Sequence, residues 1–440
     1  MSEKKSLFSD FETISDESWR EKVMADLKGK GFEETLVWQD ESGIKHQPYY
    51  RASDLEKSKI LNDLQNSQKK NASWQLLQCF SIQQEKVKQK VQNALEFGVD
   101  QVILTEVDSL ESILDVLGKK YKGKPSVKAK LSYLPTHHLL KQFYVDPIGH
   151  TIKSGIQLDQ TNEHMAKLFQ ERLNQLEPDR FLLVDGGIYK MAGATIVQEM
   201  ALSLQHAVEY FDRLTEAGYT AGAIARGLEF KMTYSPSFFP EIAKGRAMRY
   251  LIQKLFLAYG VEEEANTWGE GSEYYLSHQD PYTNLLRATT MSMAAVLGNS
   301  DKVSTPTFDQ LAQEPSNLGI RMAKNVQLIL KEEAYFAQVK DMAAGSYYIE
   351  SLSAQLAEAA WDLFLEYESA GGLLALFKNG RLKKDLNKSN QDRRKAYEEG
   401  KVFLGVNQYL NAEGEVLETK STNTKEGLQQ RILAKEIETK

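Results

Sequence analysis

From residue 74 onward, short apolar runs alternate with longer segments of helical periodicity. Between the short runs, apolar residues recur about every 3.6 positions, most clearly in Thr195–Ala217 and Phe239–Tyr259. Strands joined by helices form parallel sheets, and eight such units close a (β/α)8 barrel. The pattern therefore predicts an α/β fold of the TIM-barrel type. The eight predicted strands are Trp74–Phe80, Gln101–Val107, Ser126–Leu134, Arg180–Gly187, Gly222–Phe230, Ala265–Leu276, Lys302–Thr305 and Lys401–Leu410.

An open, doubly wound sheet is the alternative architecture for this alternation of strands and helices. That fold commonly carries a Gly-x-Gly-x-x-Gly turn after its first strand, and the sequence has none there. The closed barrel is therefore the preferred prediction.

The pattern divides the chain into three parts. Residues 1–70 are predicted to form an N-terminal arm, residues 71–412 the barrel, and residues 413–440 a charged C-terminal tail. In the arm, Leu36–Tyr50 mixes aromatic with turn-forming residues, which is typical of an extended segment that packs on another surface. Because aromatic residues are enriched at protein–protein interfaces, Trp38, Tyr49 and Tyr50 are candidate interface residues.

Composition excludes several classes of function. The formal net charge of −7 argues against nucleic acid as the main partner, since phosphate binding needs a basic face. The single cysteine, Cys79, excludes an intrachain disulfide and a thiolate metal cluster. The N-terminal residues lack the apolar core of a signal peptide, and no apolar run reaches the roughly 18 residues of a membrane span. A cytoplasmic protein without membrane contact is expected.

Few residue patterns indicate chemistry directly. None of the seven histidines has the spacing of a metal-binding pair, so no metal site is predicted. Arg226, Glu229 and Lys231 share one predicted strand, where alternation places Arg226 on the opposite face from the other two. Two interpretations stay open: a residual anion-binding or substrate face at the barrel mouth, or a structural ion pair inside the barrel.

Six segments of the chain resemble the barrel of the methylmalonyl-CoA mutase family, and they occur in the same order. The resemblance implies a barrel that threads an acyl-CoA along its axis and is capped by adenosylcobalamin. It also implies the radical interconversion of methylmalonyl-CoA and succinyl-CoA. The six segments are Gly43–Tyr50, Phe238–Leu251, Asp280–Gly298, Gly319–Glu333, Gly345–Gly372 and Val402–Tyr409.

The departures from the family pattern concern its functional residues. Ser304 stands where the catalytic members have the histidine that hydrogen-bonds the thioester carbonyl, and Gly227 stands where they have a substrate-contacting arginine. The family segment that supplies a tyrosine near the cobalamin is also missing, because Tyr50–Ser53 leads into a polar stretch instead. The Asp-x-His-x-x-Gly motif, whose histidine ligates cobalt, is absent, and no cobalamin-binding domain is expected after the last predicted strand.

These departures resemble those of the family's small, non-catalytic subunit. The resemblance then implies a large catalytic subunit as partner, with adenosylcobalamin bound by that partner and no cofactor on this chain. For the isolated chain, the sequence leaves both a monomer and a homodimer open. Arg226, Glu229, Lys231 and Ser304 remain as a candidate residual pocket. The alternatives are an independent acyl-CoA mutase barrel that works with a separate cobalamin-binding chain, and a module that only binds a CoA ester.

Overall fold

The computed structural model describes residues 14–56, 58–107, 126–129, 142–155, 170, 181–411, 416–418 and 427–438. Its N-terminal part consists of helices around an antiparallel hairpin whose two strands have two residues each, with Trp38 paired to His46. The elements are helix α1 (Asp16–Asp26), α2 (Phe32–Leu36), strands β1 (Trp38–Gln39) and β2 (Lys45–His46), α3 (Ala52–Leu55) and α4 (Leu61–Asn66).

Eight parallel strands with intervening helices follow. The strands are β3 (Gln75–Ser81), β4 (Gln101–Val107), β5 (Ser126–Ala129), β6 (Gln142–Tyr144), β7 (Leu182–Asp185), β8 (Leu228–Tyr234), β9 (Thr267–Gly271) and β10 (Lys302–Ser304). The helices between them are α5 (Val87–Glu96), α6 (Pro147–Ser154), α7 (Gly187–Met191), α8 (Ile196–Glu216), α9 (Ala221–Gly227), α10 (Phe238–Ala258) and α11 (Thr283–Leu297).

Five α-helices follow the last strand in the described part of the chain. They are α12 (Asn317–Leu328), α13 (Tyr347–Ser369), α14 (Gly372–Lys378), α15 (Arg381–Glu398) and α16 (Leu433–Glu438). Although the sequence predicts a charged tail here, Leu428 and Ile432 to Ala434 are buried. Within the described residues, no helix combines the length and apolar character needed to cross a membrane.

The strands close into a barrel in chain order. The sheet runs β6-β5-β4-β3-β10-β9-β8-β7, and every neighbouring pair is parallel. Its two edges meet through Val145, whose N–H donates to the Phe181 carbonyl at 2.9 Å and whose carbonyl accepts from Leu183 at 2.8 Å. The predicted (β/α)8 barrel is therefore confirmed.

Two of the eight predicted strands need correction, although the count is right. The segment Gly222–Gly227 is helical, because the Thr220 side chain accepts a hydrogen bond from the Ala223 N–H and so caps a new helix. Segment Lys401–Leu410 joins no strand of the barrel. The strand that the prediction lacks is β6, which is only three residues long and has no recognisable sequence pattern.

Two hydrophobic cores flank the barrel wall. Outward-facing residues such as Leu76, Val102 and Leu182 pack beneath the helices in a large outer core. A separate inner cluster, formed by Leu77, Ile103, Tyr144, Leu183 and Trp268, lies inside the barrel. Because side chains alternate along a strand, the two cores use opposite faces of the same strands.

Candidate functional site in the barrel interior

The barrel axis is filled with large side chains. Leu77, Ile103, Tyr144, Leu183 and Trp268 come from five different strands and are each at most 1% exposed. The Tyr144 and Trp268 rings lie 6.2 Å apart, centroid to centroid. Filled interiors are usual among TIM barrels, whereas an acyl chain threaded along the axis requires that the same space be open. These five residues are called the axial plug below.

A buried ionic cluster lies beside the plug. The Lys302 ammonium is 2.6 Å from Glu229 Oε2 and donates to the Tyr144 hydroxyl at 2.7 Å. Tyr144 in turn donates to Glu229 Oε2 at 3.0 Å. Glu229 is completely buried, and its charge is compensated here by a cation and a hydroxyl donor. The structural ion pair inside the barrel, one of the two interpretations of the sequence, therefore exists for Glu229. Its cation is Lys302 and not Arg226 or Lys231.

A second polar group surrounds the mouth of the barrel, at the carboxyl ends of the strands. Asp185 Oδ2 lies 2.7 Å from the Lys128 ammonium and 3.6 Å from the Lys231 ammonium. Lys231 also pairs with Glu270 and stands over the Trp268 ring. The side chain of Cys79, which is exposed, shares this inward face of the strands. The mouth residues are therefore Cys79, Lys128, Asp185, Lys231, Glu270 and Ser304.

The charges at the mouth stabilise one another. Burial alone would raise the pKa of Asp185, but Lys128 and Lys231 hold it well below its usual range. Burial would likewise lower the pKa of Lys231, but Asp185 and Glu270 raise it above its ordinary value. Both groups therefore stay ionised at neutral pH, and the two lysines are matched by two carboxylates. The mouth is electrically balanced before any ligand arrives.

Ser304 is engaged on both sides. Its Oγ accepts a hydrogen bond from Trp268 Nε1 at 3.0 Å and donates one to Glu270 Oε1 at 3.2 Å. A serine hydroxyl has one proton to donate, and here that proton is used by Glu270. The arrangement holds the indole of the plug in place and leaves no donor for a thioester carbonyl.

The other residues of the predicted pocket are only partly brought together. Glu229 and Lys231 face the interior on β8, but Arg226 is exposed on α9 and does not belong to the strand, so placing it in the pocket is wrong. Gly227 ends α9, where its carbonyl accepts from the Phe181 N–H at 2.9 Å, at the entrance to β8. No side chain therefore reaches the interior from either of these two positions.

Comparison with known proteins decides the family. The family model described as "Methylmalonyl-CoA mutase" matches residues 147–438. A relative from Porphyromonas gingivalis named "Methylmalonyl-CoA mutase small subunit" is 31% identical, over 93% of this chain and 72% of its own length. The chain belongs to the methylmalonyl-CoA mutase family.

Two further members place the chain within this family. A "Methylmalonyl-CoA mutase small subunit" from Propionibacterium freudenreichii subsp. shermanii is 28% identical, over 89% of this chain and 67% of its own length. The Porphyromonas gingivalis "Methylmalonyl-CoA mutase large subunit" is 30% identical, but over only 56% of this chain and 35% of its own length. The match to these two small subunits is thus more extensive than the match to the large subunit.

The methylmalonyl-CoA mutase family consists of adenosylcobalamin-dependent isomerases. The described mouth residues do not fit that cofactor, because none of the six is the imidazole that the cobalt of this family takes. Their ammonium and carboxylate groups already pair with one another. Among the described residues there is also no group of three or more side chains suited to a metal ion.

The arm aromatics of this family member lie on the surface around a buried histidine. Trp38 is 51% exposed and stacks on His46 at 3.7 Å, while His46 bonds to Asp40 and to the Tyr348 hydroxyl on α13. Tyr49 is 54% exposed. Tyr50 is half-buried, with its ring 5.0 Å from the Tyr348 ring. Trp38 and Tyr49 therefore present aromatic surface, whereas Tyr50 mainly anchors the arm to its own barrel.

The arm is also joined to the barrel by ion pairs that no pattern in the sequence predicts. Glu41, in the β1–β2 turn, lies 3.3 Å from the buried Lys190 ammonium on α7 and pairs at 2.5 Å with the buried Arg393 on α15. Burial would raise the pKa of Glu41, but Arg393 and Lys190 lower it well below its ordinary value. The arm thus supplies the carboxylate that two buried cations share.

The sequence also missed most of the interior. Trp268 lies within a predicted strand, and strict alternation from it would have placed Glu270 on the same inward face. Lys128, Asp185 and Lys302 read as ordinary polar positions in short runs. Tyr144 lies in a segment with no strand pattern, so no signal in the sequence marks it as part of the plug.

Proposed function

We propose that this chain is the small, non-catalytic subunit of a heterodimeric methylmalonyl-CoA mutase, and that it supports a large catalytic subunit. The observation that carries the proposal is the axial plug. An acyl-CoA needs the barrel axis, and five buried side chains occupy it here. The resemblance to named small subunits along nearly the whole chain supports the same conclusion.

The reaction then belongs to the partner. Methylmalonyl-CoA and succinyl-CoA would interconvert in the large subunit, where adenosylcobalamin supplies the radical chemistry when bound. In this chain, Ser304 orients Trp268 and satisfies Glu270, so its role is to hold the plug. Glu229, Lys231 and Lys302 are core charges of a closed barrel.

Turnover measurements test the division of labour. Activity with adenosylcobalamin and methylmalonyl-CoA is compared for this chain, for the large subunit from the same source, and for their mixture. We expect no turnover from this chain alone and an increase in activity or lifetime of the large subunit in the mixture. Turnover by this chain alone would instead favour an independent mutase.

A substitution at Ser304 makes the test specific to the site. Because the hydroxyl bonds, among the described residues, only to Trp268 and Glu270, Ser304→Ala in the assembled complex should change kcat by less than about twofold. Its size-exclusion profile should match that of the unsubstituted complex. A large fall in kcat with assembly intact would show that Ser304 serves the chemistry, and the non-catalytic role would then be wrong.

We further propose that the exposed aromatic surface of the arm contacts the large subunit. Replacing both Trp38 and Tyr49 by alanine removes that surface without touching Glu41, so the arm remains tied to its barrel. Central aromatic contacts contribute about 2 kcal/mol or more each, so association should weaken at least about tenfold. Tyr409→Ala, at an exposed tyrosine outside the arm, is the matched control. Unchanged affinity of the double variant contradicts the proposed interface.

A further inference from the structure

A cleft on the outside of the barrel has no role in the proposed function. It lies between α5 and α12, which both contact β3, and encloses about 330 Å³. Residues at helical spacing line it from both sides: Lys86, Lys90 and Phe97 from α5 and its cap, and Arg321 and Lys324 from α12. The cleft opens away from the barrel axis, so the axial plug does not fill it.

The cleft carries more positive charge than its surroundings neutralise. Lys90 pairs with Glu314, and Lys86 lies 3.7 Å from the adjacent Glu85. For Arg321 and Lys324, no carboxylate within ion-pair distance occurs among the described residues. Burial, and then the neighbouring Arg321, lower the pKa of Lys324. Two adjacent cations without a counter-charge favour an anion between them.

A buried acceptor lies at the floor of the cleft. Gln78 points outward from β3 and is only 8% exposed. Its Nε2 donates to the Ile320 carbonyl at 2.9 Å, which fixes the amide, yet its buried Oε1 has no hydrogen-bond partner. An unpaired buried carbonyl costs about 1–3 kcal/mol, which a ligand with an N–H or O–H donor would recover. Gln78 therefore favours a ligand that carries a hydrogen-bond donor in addition to its negative charge.

Aromatic surface lies at the other end of the same α5 face. Phe97 is 60% exposed, and the Lys324 ammonium stands 5.4 Å from its ring centroid. A planar ring can pack on such a surface, while amide side chains of Gln89 and Asn93 line the cleft between Phe97 and Lys86. Cations, a buried acceptor and an aromatic surface together suit a phosphorylated molecule with hydroxyl groups and a flat ring.

We propose that this cleft binds a nucleotide. Its phosphate group pairs with Arg321 and Lys324, and a hydroxyl or amino group donates to Gln78 Oε1. The assignment does not depend on the subunit role proposed above, because it uses residues on the opposite side of the barrel wall from the plug.

Calorimetry on the full chain tests the phosphate contact. AMP and inorganic pyrophosphate serve as probes at low ionic strength, where charge pairing is least screened. We expect saturable binding of AMP, and loss of at least about tenfold in affinity for Arg321→Gln with Lys324→Gln. Lys383→Gln with Lys384→Gln removes the same charge from exposed positions on α15 and should leave the affinity unchanged. Absence of AMP binding, or equal losses in both double variants, overturns the proposal.

A substitution at Gln78 separates a nucleotide from an unspecific anion. Gln78→Met keeps length and removes the acceptor, so AMP should bind several-fold more weakly while pyrophosphate, which lacks sugar and base donors, is unaffected. Circular dichroism and thermal melting confirm that the variant is folded. If AMP affinity is unchanged, or falls in step with that of pyrophosphate, the cleft attracts anions only and the nucleotide assignment is wrong.

Discussion

At the scale of single residues, the barrel interior uses charges where most cores use apolar groups. Glu229 is fully buried and depends on Lys302 and Tyr144 for compensation. Such a cluster contributes little net stability compared with an apolar core, yet removing one partner leaves a buried charge without its counter-charge. Replacing one member and replacing both therefore have different expected consequences.

Substituting Lys302 by methionine should lower the free energy of unfolding by about 3 kcal/mol, because Glu229 then stays buried without a cation. Adding Glu229→Gln removes the unpaired charge and should recover part of the loss. Urea unfolding followed by circular dichroism measures both values. Lys383→Met, at an exposed lysine, is the control, and a loss at Lys302 no larger than this control would refute the argument.

At the scale of helices and strands, the sequence predicts the long strand β4 correctly and misses the short strand β6. Strand β4 has the predicted bounds, since the apolar residues Val102–Leu104 and Val107 make the seven-residue segment Gln101–Val107 recognisable as a strand. Strand β6 was missed because three residues cannot display a period. Arg226 was placed in a strand because its neighbours are apolar, but Thr220 begins a helix there.

The polar residues of the interior were the hardest part of the site to predict. In strands of three to seven residues, an inward-facing lysine or carboxylate has the same pattern as an outward-facing one. Glu229 and Lys231 were selected as candidates, yet their partners Lys302 and Asp185 come from other strands and meet them only in the folded barrel. The family resemblance identified Ser304 as a changed position but not its contact with Trp268.

Segment Lys401–Leu410 pairs with no strand of the barrel, and one side chain supplements its local backbone hydrogen bonds and its single bridge between Leu404 and Gln408. The Asn407 side chain accepts from the Phe403 N–H at 2.7 Å and donates to the carbonyls of Tyr397 and Lys401. Asn407→Ala should therefore accelerate amide exchange in this segment by roughly tenfold, with little change elsewhere. Hydrogen exchange with mass spectrometry measures it against Gln408→Ala, an exposed neighbour. Equal exchange in both variants would mean that Asn407 does not hold the loop.

At the scale of the whole molecule, one carboxylate links the arm, the barrel and a C-terminal helix. Glu41 is held between Lys190 on α7 and Arg393 on α15. Because its pKa lies below the value of 4.5 for the unfolded chain, the contribution to stability is complete above that pH. It is lost progressively as the pH falls below 4.5 towards the folded-state value.

Glu41→Gln should lower the free energy of unfolding by about 3 kcal/mol at neutral pH, since two buried cations lose their carboxylate. The difference from the unsubstituted chain should narrow as the pH falls below about 4.5. Denaturant unfolding at pH 7 and pH 4 checks both statements. The control is Glu34→Gln, at an exposed carboxylate on α2. A difference that stays constant across the two pH values would contradict the linkage.

The axial plug has a consequence for counting. If the proposed heterodimer forms, each subunit contributes one barrel, and the axis of this chain's barrel is filled. A titration of the purified complex with acyl-CoA would then saturate at one equivalent for every two chains. If the concentration is expressed per chain, a fully active preparation would therefore be counted as having only half of its acyl-CoA sites occupied. The correct denominator for specific activity is the heterodimer.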